Sequence, residues 1–441
     1  MKQSDIQSFL EARAPDETEF HQAVMEAAPD IEAMVKDVDP AGNEGLRERL
    51  LEPERVITFK VAWRNDAGEA EVNRGYRVQF NGAVGPYKGG LRFSPGVTAS
   101  VLKFLAFEQA MKNALTGLPL GAAKGGADFD PKGRSDREIE RFCIAFMTEL
   151  HRHIGPNLDI PAGDQNVGAR EIGWLFGAYR RICGQHVGVL TGKGTDFGGS
   201  PLRPEATGYG LIYFVDEVLK HRGDSLKGKS VLISGAGNVA SFAARKALAC
   251  GAKVLTLSNS KGALICEEGL DEDALDALRD EHAEADNPLK ALADDIGAQY
   301  REGDKPWGVT ADIALPCATQ NELDETDAKA LADTGVTLVA EGANMPCTAK
   351  AKAILMEAEI TLAPGKAANA GGVAVSGLEM IQNASRDPWS EDRIDDALKK
   401  IMARIHTTCI DHGEEGADQY VRGANRAGLK KVLTAMKAQG V

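Results

Sequence analysis

Residues 231–240 read VLISGAGNVA, and no other stretch restricts the possible folds as sharply. An apolar, β-branched run of the buried-strand type is followed by Gly235, Gly237 and Ala240 in the spacing GxGxxA. Asn238 and Val239 then open a helical pattern that runs to 250, and a second apolar strand follows at 253–257. Strand, glycine turn, helix and strand within about thirty residues make a βαβ unit, whose strands must lie parallel in a sheet covered by helices. Gly235 permits the tight turn, Gly237 lets the backbone approach a pyrophosphate, and Ala240 allows close packing of helix on strand. The helix start supplies N–H groups and the positive end of a dipole, so the expected ligand is a dinucleotide.

The end of the second strand bears on which dinucleotide. An NAD site usually places an acid there, which accepts from the adenosine ribose hydroxyls and repels a 2′-phosphate. This chain reads LSNSKG over 257–262, with no acid between 251 and 266. Asn259, Ser260 and Lys261 put amide, hydroxyl and ammonium donors at that place, which favours NADP over NAD. The alternative, Lys261 as a solvated turn charge, leaves the selectivity open.

At 441 residues the chain exceeds the roughly 250–300 at which one hydrophobic core stops growing. A Gly/Pro/Ser-rich stretch at 192–204 marks a hinge. The expected division is 1–197 with 376–441 as one domain and 198–375 as the other. Beyond the hinge, helix is expected at 205–221, and strands at 230–234, 313–316, 338–340 and 360–362 alternate with helices, as in a sheet wound on both faces. An acidic helical insert spans 271–295. Before the hinge, strands at 55–62 and 75–82 read as a hairpin, and helices at 98–115 and 135–153 open with cap residues Thr98 and Ser135. The segment 4–51 reads as a helical packing or oligomer arm, and helices return at 371–384 and 392–409. The fold class is therefore α/β, a Rossmann-type dinucleotide-binding domain plus an α/β substrate and oligomerisation domain.

Composition excludes several classes of partner. Lys and Arg number 51 against 65 Asp and Glu, a formal charge of −14 that repels nucleic acid and anionic membranes at long range. No apolar run approaches the roughly 20 residues that span a bilayer, and 1–15 lacks the core of a signal peptide, so a cytoplasmic enzyme is expected. The seven cysteines are scattered without a CxxC pair, which points to reduced, packed thiols and to neither a disulfide framework nor a metal site. His151 and His153 lie two apart on a helix, and so do not form a metal pair either.

Residues 84–130 carry the chemistry. Lys88 and Lys124 stand in Gly-rich stretches that read as loops, and Lys112 lies on the helix between them. Lysines among glycine and apolar residues, with no acid close in sequence, are costly to bury unless they meet anions or lose a proton. Such a group reads as a pocket for an anionic substrate.

These motifs belong to a longer ordered set: PYKGGLRF (86–93), KNALTGLPLGAAKGGADFDP (112–131), PAGD (161–164), LTGKG (190–194), FGGS (197–200), RPEATGYG (203–210), EGANMP (341–346) and APGKAANAGGVAVSGLEM (363–380). Over nearly the whole chain they resemble the glutamate dehydrogenase family in its small, hexameric, NADP-dependent form. The resemblance implies reversible oxidative deamination of L-glutamate to 2-oxoglutarate and ammonium, with hydride transfer to NADP, run toward ammonium assimilation in the cell by a homohexamer. It implies that Lys88 and Ser376 hold the side-chain carboxylate and that Lys112 meets the α-carboxylate. It further implies that Lys124 is the catalytic lysine and Asp164 the catalytic acid, that Gly89 and Gln109 line the same pocket, and that Thr207, Asn238 and Asn344 contact the cofactor.

The chain departs from the family's usual text at Ala122, Ala123, Ala127, Gln165 and Asn166, none of which removes a required charge. Two rival readings are kept: a dehydrogenase of apolar amino acids such as leucine or phenylalanine, and a non-catalytic paralogue that binds dinucleotide or subunits. Lys88 and Ser376 argue against the first, since a pocket for an apolar side chain does not retain a cation where that chain ends. The intact set Lys88, Lys112, Lys124 and Asp164 argues against the second.

Overall fold

The computed structural model describes residues 3–282 and 285–441, which fall into two compact units. The first comprises Met1–Pro201, Val373–Ile394 and Asn425–Val441, the second Leu202–Gly372 and Asp395–Ala424. Residues 395–424 thus pack with the second unit, where sequence reasoning assigned all of 376–441 to the first. The cause is specific packing: Tyr213 donates to Asp395, Phe214 meets His406 and Tyr420 with ring centroids 5.8 Å from each, and Leu362 N donates to Ala417 O at 3.2 Å.

The first unit is built on a five-stranded sheet of order β1-β2-β4-β3-β5: β1 (Arg55–Arg64), β2 (Ala70–Asn81), β3 (Tyr87–Phe93), β4 (Ala122–Ala127) and β5 (Asp159–Gly163). The expected hairpin is β1 and β2, antiparallel in continuous register. β4 runs antiparallel to β2, whereas β3 runs parallel to both β4 and β5. The Gly-rich stretches around Lys88 and Lys124, which read as loops, are therefore strands. Glycine ordinarily weakens a strand, but it is required where backbones approach closely. A Cβ on Gly89 would stand 1.6 Å from Ala123 O, and one on Gly126, at φ +153°, 2.0 Å from Arg92 O.

The helices Ala99–Leu115 and Asp136–Leu150 start where their caps predict. Thr98 Oγ1 accepts from Val101 N, and Ser135 closes a capping box with Glu138. The second of them lays Phe142 and Phe146 against Phe93, Phe129 and Trp63 in an aromatic core on one face of the sheet. Such rings bury large apolar area and fix the helix over the strands.

The second unit has a seven-stranded sheet of order β12-β11-β10-β6-β7-β8-β9. Its strands are β6 (Ser230–Ile233), β7 (Lys253–Asn259), β8 (Gly262–Leu270), β9 (Gln299–Glu302), β10 (Ile313–Leu315), β11 (Leu338–Ala340) and β12 (Thr361–Ala363). From β12 to β7 all pairs are parallel, as the alternating pattern requires. β8 and β9 add an antiparallel edge that the sequence reading lacked. The acidic insert supplies two short helices, Glu272–Asp280 and Pro288–Ile296, and part of it (283–284) lies outside the described residues.

Candidate active site

Strand periodicity assembles the charged residues of the first unit. Side chains alternate between sheet faces, and directly opposed residues share a face. Leu91 lies opposite both Gly125 and Gly163, so Lys88, Gly90 and Arg92 of β3 share the other face with Lys124 of β4 and with Asp164, the residue following β5. The contacts agree. Lys124 Nζ sits 2.7 Å from Asp164 Oδ2, and Arg92 Nη2 approaches the same oxygen at 3.4 Å. Gly90 makes the room, since a Cβ there would stand 2.6 Å from Asp164 Cβ.

Lys88 is buried on this face, and its Nζ donates to Thr191 Oγ1 at 2.8 Å. Thr191 N donates to Pro161 O at 3.0 Å, anchoring that loop to β5. Gln109 Nε2 donates to Asn113 Oδ1 at 2.5 Å, and Asn113 in turn donates to Lys88 O and Gly121 O. The helix Ala99–Leu115 is thereby tied to the backbone of Lys88, with half-buried Lys112 in its last turn. Ser376 is buried on the helix Gly371–Ser385. Its neighbour Gly377 lets that helix press on Leu118, 2.5 Å from where a Cβ would stand. The first unit therefore brings Lys124 and Asp164 into direct contact, ties Gln109 through Asn113 to the backbone of Lys88 beside Gly89, and carries Lys112 and Ser376 on the helices Ala99–Leu115 and Gly371–Ser385.

The opposite sheet face carries a charge pair that sequence reasoning missed. Arg77 and Asp159, both fully buried, form a two-pronged pair at 2.9 and 2.5 Å, while Arg77 Nη1 donates to Gly89 O at 3.2 Å. Gln79 adds a donor to Asp159 and one to His153 O. The available signal was Arg77 and Gln79 alternating with apolar residues in YRVQF (76–80), an unusual pattern for a strand buried on both faces.

Burial pushes the Lys124 amine below its usual range of about 10.5, aided by the charge of Arg92, and Asp164 counters only in part. Burial would raise the Asp164 carboxyl, but the charges of Lys124 and Arg92 prevail and hold it well below the ordinary carboxylate range. The pair is thus a persistent carboxylate beside an amine that gives up its proton readily.

In the second unit the glycine turn has the expected form. Gly235, at φ +87°, donates its N–H to Ser258 Oγ at 3.0 Å, and Ser258 N returns a bond to Gly235 O. Gly237 caps the helix Asn238–Ala249 in extended conformation, no side chain caps that helix, and the space where a Cβ would stand is open to 4 Å. An uncapped helix start with Asn238 and Val239 in its first turn, open space at Gly237 and Ala240 fully buried behind fits a pyrophosphate. Thr207 lies on the helix Ala206–His221, and the lack of a side chain at Gly372 makes room for its hydroxyl, 2.6 Å from where that Cβ would stand. Asn344 Oδ1 accepts from Asn369 Nδ2 at 3.2 Å, and the same amide holds Gly342 O and Ala343 O. Ser258 and Asn369 organise this region, and neither was predicted.

The β7–β8 turn departs from expectation in one respect. Asn259 Oδ1 accepts from the N–H groups of Lys261 and Gly262 and so shapes the turn itself. Ser260 lies exposed between them. Lys261 Nζ donates to Asp286 O at 2.6 Å and Oδ2 at 2.8 Å. The acid missing from the local sequence arrives from the insert.

The chain matches two family models: Glutamate/Leucine/Phenylalanine/Valine dehydrogenase over residues 198–440 and Glu/Leu/Phe/Val dehydrogenase, dimerisation domain over 53–181. It is 51% identical to the NADP-specific glutamate dehydrogenase of Salmonella typhimurium, covering 99% of this chain and 98% of that one. It is 50% identical to the NAD-specific glutamate dehydrogenase of Bacteroides fragilis, covering 99% of each. Among solved structures, Plasmodium falciparum glutamate dehydrogenase superposes with a TM-score of 0.95 at 45% identity, covering 100% of this chain and 94% of that one. With both units matched and half of all positions identical over the full length, the chain belongs to the Glu/Leu/Phe/Val dehydrogenase family.

Proposed function

We propose that the protein is an NADP-dependent glutamate dehydrogenase, converting L-glutamate, water and NADP⁺ to 2-oxoglutarate, ammonium, NADPH and a proton, and run toward amination in the cell. The observation that carries this reading is the buried Lys88 ammonium on the same sheet face as the Lys124–Asp164 pair. A dicarboxylate needs two separated cationic sites with the reacting carbon held between them. Lys88 with Ser376 would grip the side-chain carboxylate and Lys112 the α-carboxylate, with Gln109 and Gly89 lining the pocket.

When bound, the nicotinamide cofactor would supply the acceptor for the hydride that leaves the α-carbon. Residues 235–239 would hold its pyrophosphate, Thr207 and Asn344 would also contact it, and the turn Asn259, Ser260 and Lys261 would meet its adenosine end. Lys124, its pKa lowered, takes a proton from water as that water adds to the substrate's imine carbon. Asp164, ionised and 2.7 Å from Lys124, relays that proton to the nitrogen of the adduct; the C–N bond then breaks, the adduct's hydroxyl proton passes to Lys124 as the ketone forms, and the released ammonia takes up a proton as ammonium. Arg92 steadies Asp164 from the other side.

A dehydrogenase of apolar amino acids is disfavoured by Lys88 and Ser376, since a pocket for an apolar side chain does not retain a cation where that chain ends. We further propose a homohexamer in the cytoplasm. The matched dimerisation domain supports pairing of subunits, and no described helix is long and apolar enough to cross a membrane. NADPH consumption on mixing with ammonium and 2-oxoglutarate tests the activity. Consumption with 4-methyl-2-oxopentanoate but not with 2-oxoglutarate would overturn it.

A further inference from the structure

A second buried ion pair lies in the first unit and takes no part in the chemistry above. Lys193 Nζ stands 2.6 Å from Glu379 Oε1, with the two side chains 1% and 0% exposed. Lys193 also donates to Leu190 O, and the other carboxylate oxygen, Glu379 Oε2, accepts from Gly192 N at 2.8 Å. Two further residues on the same helix bind the same loop: Gln382 Nε2 donates to Ser200 Oγ at 2.9 Å and Asn383 Nδ2 to Gly198 O at 2.8 Å. The loop 190–200 is thereby fastened to the helix Gly371–Ser385 at three points.

The position of this fastening matters. Thr191, which holds the Lys88 ammonium at 2.8 Å, is two residues before Lys193. Ser376 is three residues before Glu379, one turn along the same helix face. A buried pair recovers its desolvation cost poorly, and apolar residues of similar volume often match or exceed its stability. A directional link sets a separation that an apolar contact does not fix. We propose that Lys193 and Glu379 are positioning residues that set the span between the Lys88–Thr191 side and the Ser376 side of the pocket, and so determine selection of a substrate ending in a carboxylate.

The inference rests on the diacid reading of Lys88 and is tested with the double variant Lys193→Met/Glu379→Leu. Purified enzyme is assayed with ammonium and NADPH on 2-oxoglutarate and on 2-oxopentanoate, which has a methyl group in place of the distal carboxylate. Folding is checked by circular dichroism and by NADPH binding. The folded double variant is expected to raise KM for 2-oxoglutarate about tenfold or more with kcat changed less than about threefold, the signature of lost binding common to ground and transition states. The ratio of kcat/KM for 2-oxoglutarate over 2-oxopentanoate is expected to fall by about the same factor, as one misplaced charge-assisted contact would give. A folded double variant with unchanged KM and ratio overturns the proposal. If the double variant does not fold, Glu379→Gln carries the test, with an expected rise in KM of about threefold and a matching fall in the ratio; unchanged values, or failure of both variants to fold, assign the pair to stability alone. A wild-type enzyme that uses 2-oxopentanoate as well as 2-oxoglutarate refutes the diacid reading instead, which separates the two failures.

Discussion

The charged face of the five-stranded sheet and the glycine turn of the seven-stranded sheet, the two proposed anion sites, present their donors by opposite means. On the sheet face, ammonium and guanidinium groups are removed from water and held by short contacts to Thr191 and Asp164. At the turn the donors are backbone N–H groups beside open space at Gly237, and the nearby Lys261 is half exposed and already paired. Buried charge interacts strongly because little water screens it, whereas an exposed pair is screened and weak. Substitutions on the sheet face should therefore have large effects, and side-chain substitutions at the turn small ones.

The largest effect is expected for Lys124→Ala, which removes the group proposed to take the proton from water. Turnover should fall by about 10²–10⁴-fold, the range for general acid–base groups, while NADPH binding by fluorescence stays unchanged. A variant retaining more than a tenth of wild-type kcat would remove Lys124 from the proposed chemistry. The wild-type pH profile is a companion measurement. Because burial depresses the Lys124 pKa, kcat for deamination should rise with pH as the amine loses its proton and level off below the 10.5 of free lysine. Asp164, held ionised, should add no acid limb above the ordinary carboxylate range.

Next comes stability. Arg77→Met leaves Asp159 buried and charged without its partner, a change that costs about 3–5 kcal/mol when one member of a buried pair is removed. Urea unfolding monitored by circular dichroism should show the loss, and an apolar pair, Arg77→Met with Asp159→Leu, should recover part of it. A smaller effect is expected at His406 in the second unit, packed against Phe214 and Tyr420, with Tyr420 OH 3.0 Å from its Nε2. Burial, then the charge of His221, lowers its pKa from 6.5 to about 4, and Glu217 opposes this. Neutral in the fold and protonated more readily when unfolded, it contributes stability that is present above pH 6.5 and lost as pH falls toward 4. The loss is on the order of 2–3 kcal/mol. His406→Gln should flatten the unfolding midpoint over that window relative to wild type.

These residues also show where sequence reasoning reached and where it stopped. The helices beginning at Ala99 and Asp136 were legible because Thr98 and Ser135 are local cap signals confirmed by their bonds to Val101 and Glu138. Lys88, Lys112 and Lys124 were legible as a group because lysines without local acids stand out in a Gly-rich text, whereas Asp164 was reached only through the family resemblance. That β3 and β4 are strands was not, because their glycines serve neighbours distant in sequence, Ala123 O for Gly89 and Arg92 O for Gly126. The Arg77–Asp159 pair joins residues 82 apart, and no local pattern announces such a partner. The β8–β9 edge was hidden because Asn259, read as a cofactor donor, spends its carbonyl closing the turn.

The smallest effect concerns the turn, and it carries the most information about cofactor choice. Lys261 would meet a 2′-phosphate as an exposed cation, but Asp286 occupies it at 2.8 Å. The charge of Lys261 holds the Asp286 carboxyl below its ordinary range, so it stays ionised at neutral pH. Asp286 therefore weakens phosphate binding twice, by competing for the ammonium and by repelling the phosphate directly. Lys261→Ala should weaken NADPH binding about tenfold at low salt, the loss of one charge-assisted contact, with NADH little changed. Asp286→Asn should act in the opposite direction, tightening NADPH about two- to threefold at low salt and less at 0.5 M salt, since an exposed pair is screened. Fluorescence titration of both cofactors at both salt concentrations measures all of this. If Asp286→Asn leaves the NADPH-to-NADH affinity ratio unmoved while Lys261→Ala lowers it, Lys261 leaves Asp286 without cost on binding; if neither moves it, the preference for NADP resides in the backbone of the turn.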